Sequence, residues 1–177
     1  MDRNLAGGRE MKQLYLIRHA KSSWATPGLA DAKRPLNNRG KIDAPFMGER
    51  LRSAGVVPDL IYASPAKRAR KTAEKIAKAV GYPESAIVLE SGIYSADLNQ
   101  LLAVIEKTAK QVDTLFLVGH NYVITDLAEY LTGENLGSMP TCSVVAMSFA
   151  GEDWQEVAEG KGRLLFFDYP KKHRTAG

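Results

Sequence analysis

The stretch LYLIRHAKSSW, Leu14 to Trp24, begins as an apolar run and changes abruptly to charged and polar residues. The run from Leu14 to Ile17 is typical of a strand covered on both faces, and Arg18 and His19 follow at its end. In open sheets of parallel strands, ligands bind beyond the carboxyl ends of the strands. The stretch therefore predicts a buried strand that presents Arg18 and His19 to a ligand.

Similar apolar runs alternate with helical patterns along the rest of the chain. We expect further strands at residues 60–63, 87–89, 115–118, 143–149 and 163–169. We expect helices at about residues 38–54, 65–80, 98–109 and 124–131. Pro45 indicates that the first turn of the first helix lies near it, and Gly133 is expected to end the last. This alternation predicts an α/β fold, a three-layer αβα sandwich with a mostly parallel central sheet.

Length and composition limit the domain organisation. The chain has 177 residues, of which 45% are apolar, enough for one domain with a full core. We expect that domain to span residues 11–177, preceded by a flexible extension, residues 1–10. No apolar run approaches the ~20 residues that cross a bilayer, and the polar N-terminus does not resemble a signal peptide. We therefore expect a cytoplasmic protein without membrane contact.

Charge and cysteine content exclude other classes. The net charge of +4 is mild and concentrates in residues 67–71 and 171–174. Neither cluster is interleaved with aromatic residues or forms a docking motif, so we expect no nucleic-acid partner. The single cysteine, Cys142, can form neither an internal disulfide nor a zinc knuckle. The composition thus leaves a globular enzyme or binding protein.

Three predicted strand ends carry the residues that indicate a ligand. Arg18 and His19 follow the first strand, Arg68 follows the second, and His120 follows the fourth. Arginine presents a planar fork of donors that matches phosphate oxygens, and two arginines with a histidine would enclose a phosphoryl group. Ser64 and Pro65 are favoured at a helix N-cap and first position, which would place Arg68 in a helical first turn that suits an anion. The ligand implied is a phosphate.

Other residues near these motifs receive simpler interpretations. Lys21, Ser22 and Ser23 either line the pocket or form a loop, and we take Ser22 as a candidate substrate-binding residue. A zinc site on the two histidines would need further ligands, and no HExxH, Walker A or GxGxxG motif occurs. We therefore expect neither a metal nor a nucleotide cofactor. The remaining basic residues are assigned to solvated surface: Arg70, Lys71 and His173.

Taken together, the motifs resemble a known family. LYLIRHA resembles the Arg-His-Gly signature of the histidine phosphatase superfamily, which has the phosphoglycerate mutase-like fold. SPAKRARKTAE, LFLVGHN and RPLNNRG resemble its second-arginine, second-histidine and first-helix segments, in family order, so that the resemblance extends over about residues 12–169. Ala20 departs from the usual glycine. The short chain and the Lys-Ser-Ser-Trp continuation are most similar to the SixA-like phosphohistidine phosphatase branch.

The resemblance implies a mechanism. His19 would attack phosphorus as a neutral nucleophile and form a phosphohistidine that water hydrolyses, while Arg18, Arg68 and His120 hold the phosphoryl oxygens. Nearby arginines would lower the pKa of His19. The family's mutases also use a carboxylic acid that protonates the leaving group. Glu90, Tyr94 and Asp97 lie in the right segment, but none is assigned this role. A phosphoramidate, whose leaving group is easily protonated, is therefore favoured.

Three functions remain open from the sequence. The first is a metal-independent phosphohistidine phosphatase acting on a phosphorylated protein, such as a phosphotransfer domain. The second is a phosphomonoesterase of the same superfamily acting on a small phosphorylated metabolite, although the chain lacks a long insertion for a lid. The third is a non-catalytic phosphate-binding module, which the complete set of arginines and histidines argues against.

Overall fold

The computed structural model describes residues 11–174, so the extension predicted at residues 1–10 lies outside the described part. Its strands form one six-stranded sheet, β1 to β6 in chain order. They span Met11–Arg18, Leu60–Ala63, Val88–Leu89, Thr114–Gly119, Val144–Ala150 and Arg163–Asp168. Four α-helices, α1 to α4, span Asn38–Ser53, Lys67–Val80, Leu98–Glu106 and Val123–Thr132.

The order of the strands brings the predicted ligand residues to one edge. The order is β3-β2-β4-β1-β5-β6, with β1 to β4 parallel and with β5 and β6 joined to β1 by antiparallel pairing. Arg18 lies opposite Gly119, and Ala63 lies opposite Val118, so that β1, β4 and β2 end side by side. The predicted convergence of three strand ends is confirmed, because parallel neighbours end at the same edge of the sheet.

Helices cover both faces of this sheet. Alternate residues of β1 point to opposite faces, so that Tyr15 and Ile17 pack with α1 and α2, and Leu14 and Leu16 pack with α3 and α4. All four side chains are almost completely buried. The two cores make three layers, which confirms the predicted αβα sandwich. Within residues 11–174, no helix combines the length and the apolarity that crossing a bilayer requires.

A close approach of backbones fixes the loop after β1. The Asn37 N–H donates to the Lys21 carbonyl oxygen at 3.0 Å, at the start of α1. A Cβ on Gly40 would lie 2.2 Å from that same carbonyl oxygen, so only glycine allows α1 to begin here. The helix thus holds the chain two residues beyond His19.

Three predictions, on the start of α2, the place of Pro45 and the burial of β3, are wrong for physical reasons. Helix α2 begins at Lys67 instead of Pro65, since Ala66 remains extended (ψ 135°) and the Ser64 hydroxyl is held in a short turn by the Ala66 N–H. Helix α1 begins at Asn38, so Pro45 lies inside it and not in its first turn, and its missing N–H removes one backbone hydrogen bond, to the Lys41 carbonyl. Strand β3 is an exposed edge strand with one neighbour, although we expected a strand covered on both faces.

Candidate active site

His19 lies directly after β1 and is held by its own backbone. Its N–H donates to Gly119 O at 3.0 Å, and its carbonyl accepts from the Cys142 N–H at 3.0 Å. The ring atom Nδ1 lies 2.7 Å from the Ala20 carbonyl oxygen. Because a carbonyl can only accept, Nδ1 carries the ring proton and the lone pair is on Nε2. The imidazole is therefore oriented with a nucleophilic nitrogen free, and it is only 8% exposed.

Ala20 fits the position where the family has glycine. It is fully buried, and its N–H donates to Thr72 Oγ1 at 2.9 Å. The Thr72 hydroxyl in turn donates to the Arg68 carbonyl at 2.7 Å. This chain of hydrogen bonds ties the backbone beside His19 to the first turns of α2, and with it to Arg68.

Each of the two arginines of the site donates some of its N–H groups to oxygen atoms of the protein and has other N–H groups without a partner in the described chain. Arg18 Nη1 donates to Met139 O at 2.7 Å, and burial lowers the Arg18 pKa from its ordinary value. Arg68 Nη1 and Nη2 donate to Asp31 O and Oδ2 at 2.8 and 3.0 Å. Among residues 11–174, the buried Nε atoms of both arginines lack any hydrogen-bond partner. Each guanidinium is thus held by hydrogen bonds to the protein, while others of its five N–H donors, Nε among them, have no partner in the described chain.

His120 lies beside His19 across the end of the sheet. The centroids of their rings are 5.3 Å apart, and His120 Nε2 lies 2.8 Å from Ser64 Oγ. The buried Nδ1 of His120 has no partner within the described chain. Arg18, His19, Arg68 and His120 are therefore brought together as the sequence predicts.

The site disfavours protonation of both histidines. Burial, followed by His120, Arg68 and Arg18, lowers the pKa of His19 to about 3, although the Ala20 hydrogen bond opposes this shift. Burial and then Arg68 lower the pKa of His120 to about 4, with Asp31 acting in the opposite direction. Both imidazoles are neutral near pH 7. The positive charge of the site is thus carried by the arginines.

Asp31 and Arg34 are part of this site, although neither follows a predicted strand end. Tyr94 Oη donates to Asp31 Oδ2 at 2.7 Å, and Arg34 Nε donates to Asp31 Oδ1 at 3.3 Å. The Tyr94 hydrogen bond, with those of Arg68 and Arg34, lowers the pKa of Asp31 to about 2. Arg34 is only 8% exposed and its guanidinium lies 3.5 Å from the Trp24 ring centroid. The one signal was Arg34 itself, which opens the RPLNNRG segment.

The remaining candidates separate into near and distant residues. Ser22 Oγ accepts from Arg34 Nη1 at 2.9 Å, so Ser22 supports an arginine of the site, and its predicted contact with substrate stays a prediction. Tyr94 meets the His120 ring edge-on at 5.7 Å between centroids. Glu90 is paired with Lys107. Asp97 caps the start of α3. Of the three candidate acids, only Tyr94 reaches the site.

In residues 11–174, no group of three His, Cys, Asp or Glu side chains could hold a metal ion.

Comparisons with known proteins place these features in a family. The family model of the histidine phosphatase superfamily (branch 1) matches residues 14–93. An uncharacterized chloroplastic protein of Arabidopsis thaliana is 31% identical over 153 residues, which cover 82% of this chain and 70% of that protein.

Solved structures agree with this relationship. A crystal structure assigned as the phosphohistidine phosphatase SixA of Agrobacterium tumefaciens has a TM-score of 0.78 at 29% sequence identity. The match covers 90% of this chain and 98% of the SixA chain. The protein histidine phosphatase SixA in complex with tungstate has a TM-score of 0.77 at 21% identity, covering 92% and 99%. This second similarity bears on the fold alone.

Proposed function

Because this chain belongs to the SixA-like branch of the histidine phosphatase superfamily, we propose that it is a phosphatase that removes phosphoryl groups from phosphohistidine in a protein. His19 is the proposed nucleophile. Arg18, Arg68 and His120 are the proposed ligands of the phosphoryl oxygens. No metal ion takes part in the proposed reaction, since the guanidinium groups supply the positive charge.

One observation carries this proposal. Of the four buried side-chain nitrogen and oxygen atoms without a partner in residues 11–174, three are Arg18 Nε, Arg68 Nε and His120 Nδ1. A buried polar atom without a partner costs about 1–3 kcal/mol, so two arginine N–H donors and one imidazole nitrogen left unpaired at one strand edge indicate a ligand rich in acceptor oxygens. A phosphoryl group has such oxygens, and His19 Nε2 is the adjacent nucleophile.

The proposed reaction proceeds in two displacements. In the first, the lone pair of His19 Nε2 attacks phosphorus, a P–Nε2 bond forms, and the bond from phosphorus to the leaving group breaks. The leaving nitrogen keeps the electron pair and takes a proton from solvent. In the second, water attacks phosphorus and releases a proton to solvent, the P–Nε2 bond breaks, and its electron pair returns to His19. The products are inorganic phosphate and the free enzyme.

The acidic residues at the site favour a substrate whose leaving group does not need a proton from the enzyme. Asp31 is the carboxylate of the site, and a pKa of about 2 leaves it ionised at neutral pH. The hydrogen bond from Tyr94 to Asp31 raises the pKa of Tyr94 above its ordinary value, so Tyr94 is a weak proton donor. An alkoxide requires protonation as it leaves, whereas a phosphoramidate has a labile P–N bond and a leaving group that solvent can protonate. This contrast supports phosphohistidine over a phosphomonoester.

The surroundings of the site support a protein as the bearer of that group. Within residues 11–174, the connections between strands contain four α-helices and short 3₁₀ turns, with no inserted subdomain that could serve as a lid. Trp24 and Tyr122 are 78% and 76% exposed, and they belong to the segments that follow His19 and His120. Exposed aromatic rings are typical of surfaces that bind proteins. A phosphorylated protein domain is therefore the favoured substrate class.

The test compares two substrates under identical conditions. Purified protein in chelator is incubated with a phosphohistidine-bearing protein and with p-nitrophenyl phosphate, and phosphate release is measured for wild type and His19→Ala. We expect release that is lost in the variant and a preference for phosphohistidine. Equal or faster turnover of p-nitrophenyl phosphate would favour a phosphomonoesterase. Folded protein that releases phosphate from neither substrate would contradict the proposal.

A further inference from the structure

Ser64 is a completely buried serine whose hydroxyl lies between two groups. Its Oγ accepts from the Ala66 N–H at 3.2 Å and lies 2.8 Å from His120 Nε2. The sequence interpretation of Ser64 as a helix cap does not account for these contacts, because α2 begins at Lys67. The contact with His120 therefore calls for its own explanation.

The direction of the hydrogen bond between Ser64 and His120 follows from counting donors. A neutral imidazole donates from one nitrogen and accepts at the other, and a hydroxyl has one proton to donate. If His120 Nε2 donated to Ser64, the buried hydroxyl proton would have no acceptor and Nδ1 would hold an unpaired lone pair. If Ser64 donates to Nε2, the hydroxyl is satisfied twice and only the Nδ1–H awaits a partner. The second arrangement leaves fewer buried polar groups unpaired and is therefore the more stable one.

We infer that Ser64 is a positioning residue that fixes His120 as its Nδ1–H tautomer and so aims a neutral N–H donor at the phosphoryl oxygens. The direction of that N–H toward phosphate rests on the proposed function, whereas the tautomer does not.

The electrostatics of the site make this arrangement consequential. With a pKa of about 4, His120 is neutral near pH 7 and donates from a single nitrogen. The charged groups that act on it are Arg68, Arg18 and Arg34, which disfavour its protonation, and Asp31, which favours it. A neutral His120 can bind an anion through Nδ1 only if its proton is placed there. Ser64 thus determines whether His120 offers phosphate a donor or a repelling lone pair.

The tautomer can be read directly by NMR on the unliganded protein. In ¹⁵N-labelled protein, long-range proton–nitrogen correlations of the histidine rings distinguish a protonated from an unprotonated nitrogen, and His120→Gln assigns the signals. We expect Nδ1 of His120 protonated and Nε2 unprotonated. Added inorganic phosphate should shift the Nδ1–H signal and slow its exchange with water. A protonated Nε2 in wild type would overturn the inference, whether or not the protein is a phosphatase.

Substitutions separate this role from simple packing. Ser64→Ala should leave His120 as a mixture of tautomers and weaken binding of inorganic phosphate in proportion to the loss of the Nδ1–H form, about twofold for an even mixture. Ser64→Thr keeps the hydroxyl and should restore the Nδ1–H tautomer. Ser148→Ala is the matched control, because Ser148 is almost as buried and its Oγ has no partner in residues 11–174. An unchanged His120 tautomer in folded Ser64→Ala would refute the role of Ser64. If that variant does not fold, the wild-type spectrum still decides the tautomer.

Discussion

Lowering the pH from 7 to 5 should destabilise this protein through two histidines of its site. The folded chain holds His19 and His120 neutral, with pKa values of about 3 and about 4. In the unfolded chain both return to the ordinary pKa of about 6.5. The unfolded state therefore binds more protons as the pH falls, and acid favours unfolding. The contribution of the two neutral histidines to the free energy of unfolding is fully present above about pH 6.5. It is lost as the pH falls toward their folded-state pKa values.

The size of this effect follows from the same pKa values. At pH 5 almost every unfolded molecule has both histidines protonated, whereas few folded molecules do. Integrating the difference in bound protons between pH 7 and pH 5 gives about 2 kcal/mol for each histidine, or about 4 kcal/mol together. The carboxylates with lowered pKa values, Asp31 and Asp168, lose their contribution mainly below about pH 4, outside this range. Since domains are stable by about 5–15 kcal/mol, the loss is measurable.

Urea unfolding at pH 7 and pH 5 measures this loss. Wild type should lose about 4 kcal/mol, which moves the midpoint by about 2 M for a slope of about 2 kcal/mol per M. His19→Gln and His120→Gln should each remove about half of the pH dependence, and the double variant should remove most of it. A wild-type protein equally stable at both values, or a double variant that loses as much as wild type, would refute the reasoning.

Three further predictions concern the site and its supports. Arg18→Lys keeps a positive charge but loses the planar fork, so kcat should fall about 10²-fold in a phosphatase assay, and a change within twofold would count against Arg18 as a phosphate ligand. Gly40→Ala should cost about 1–3 kcal/mol in urea unfolding and lower activity, because its Cβ would collide with the Lys21 carbonyl; an unaffected variant would disprove that contact. Lys12→Met should lower the free energy of unfolding by about 2–3 kcal/mol and leave the activity per folded molecule unchanged. The reason is that Lys12 Nζ donates to Lys110 O, Val112 O and Asp113 Oδ1. A variant as stable as wild type would show that these bonds are dispensable.

The sequence allowed prediction of the strand-end part of the site. Apolar runs identified β1, β2 and β4, and the rule that ligands bind at the carboxyl ends of parallel strands placed His19, Arg68 and His120 together. His19 and His120 follow their strands directly, and Arg68 lies in the first turn of the helix that follows β2, so their positions depend little on the paths of long loops. The three-layer fold was predictable for the same reason, since the runs and the helical spacing reflect burial on two faces.

The loop part of the site was not predictable from local patterns. Asp31 meets Arg68 and Tyr94, which lie 37 and 63 residues away along the chain, and no periodicity marks such contacts. The exposure of β3 depends on its place at the edge of the sheet, which a short apolar run does not reveal. The role of Ser64 was hidden because serine before proline is also a common start of a helix. Its contact with His120 emerged only from the pairing of β2 with β4.

The proposal that His19 is a nucleophile is tested most directly by trapping the phosphoenzyme. Protein mixed with a radiolabelled phosphohistidine-bearing protein is quenched rapidly in base and digested, and the labelled peptide is identified by mass spectrometry. Apart from the label that remains on the substrate protein, we predict one acid-labile, base-stable label on the peptide of this protein that contains His19, and none on the peptides of His19→Ala. Phosphate released at the wild-type rate by His19→Ala, or a label on another residue, would contradict the account.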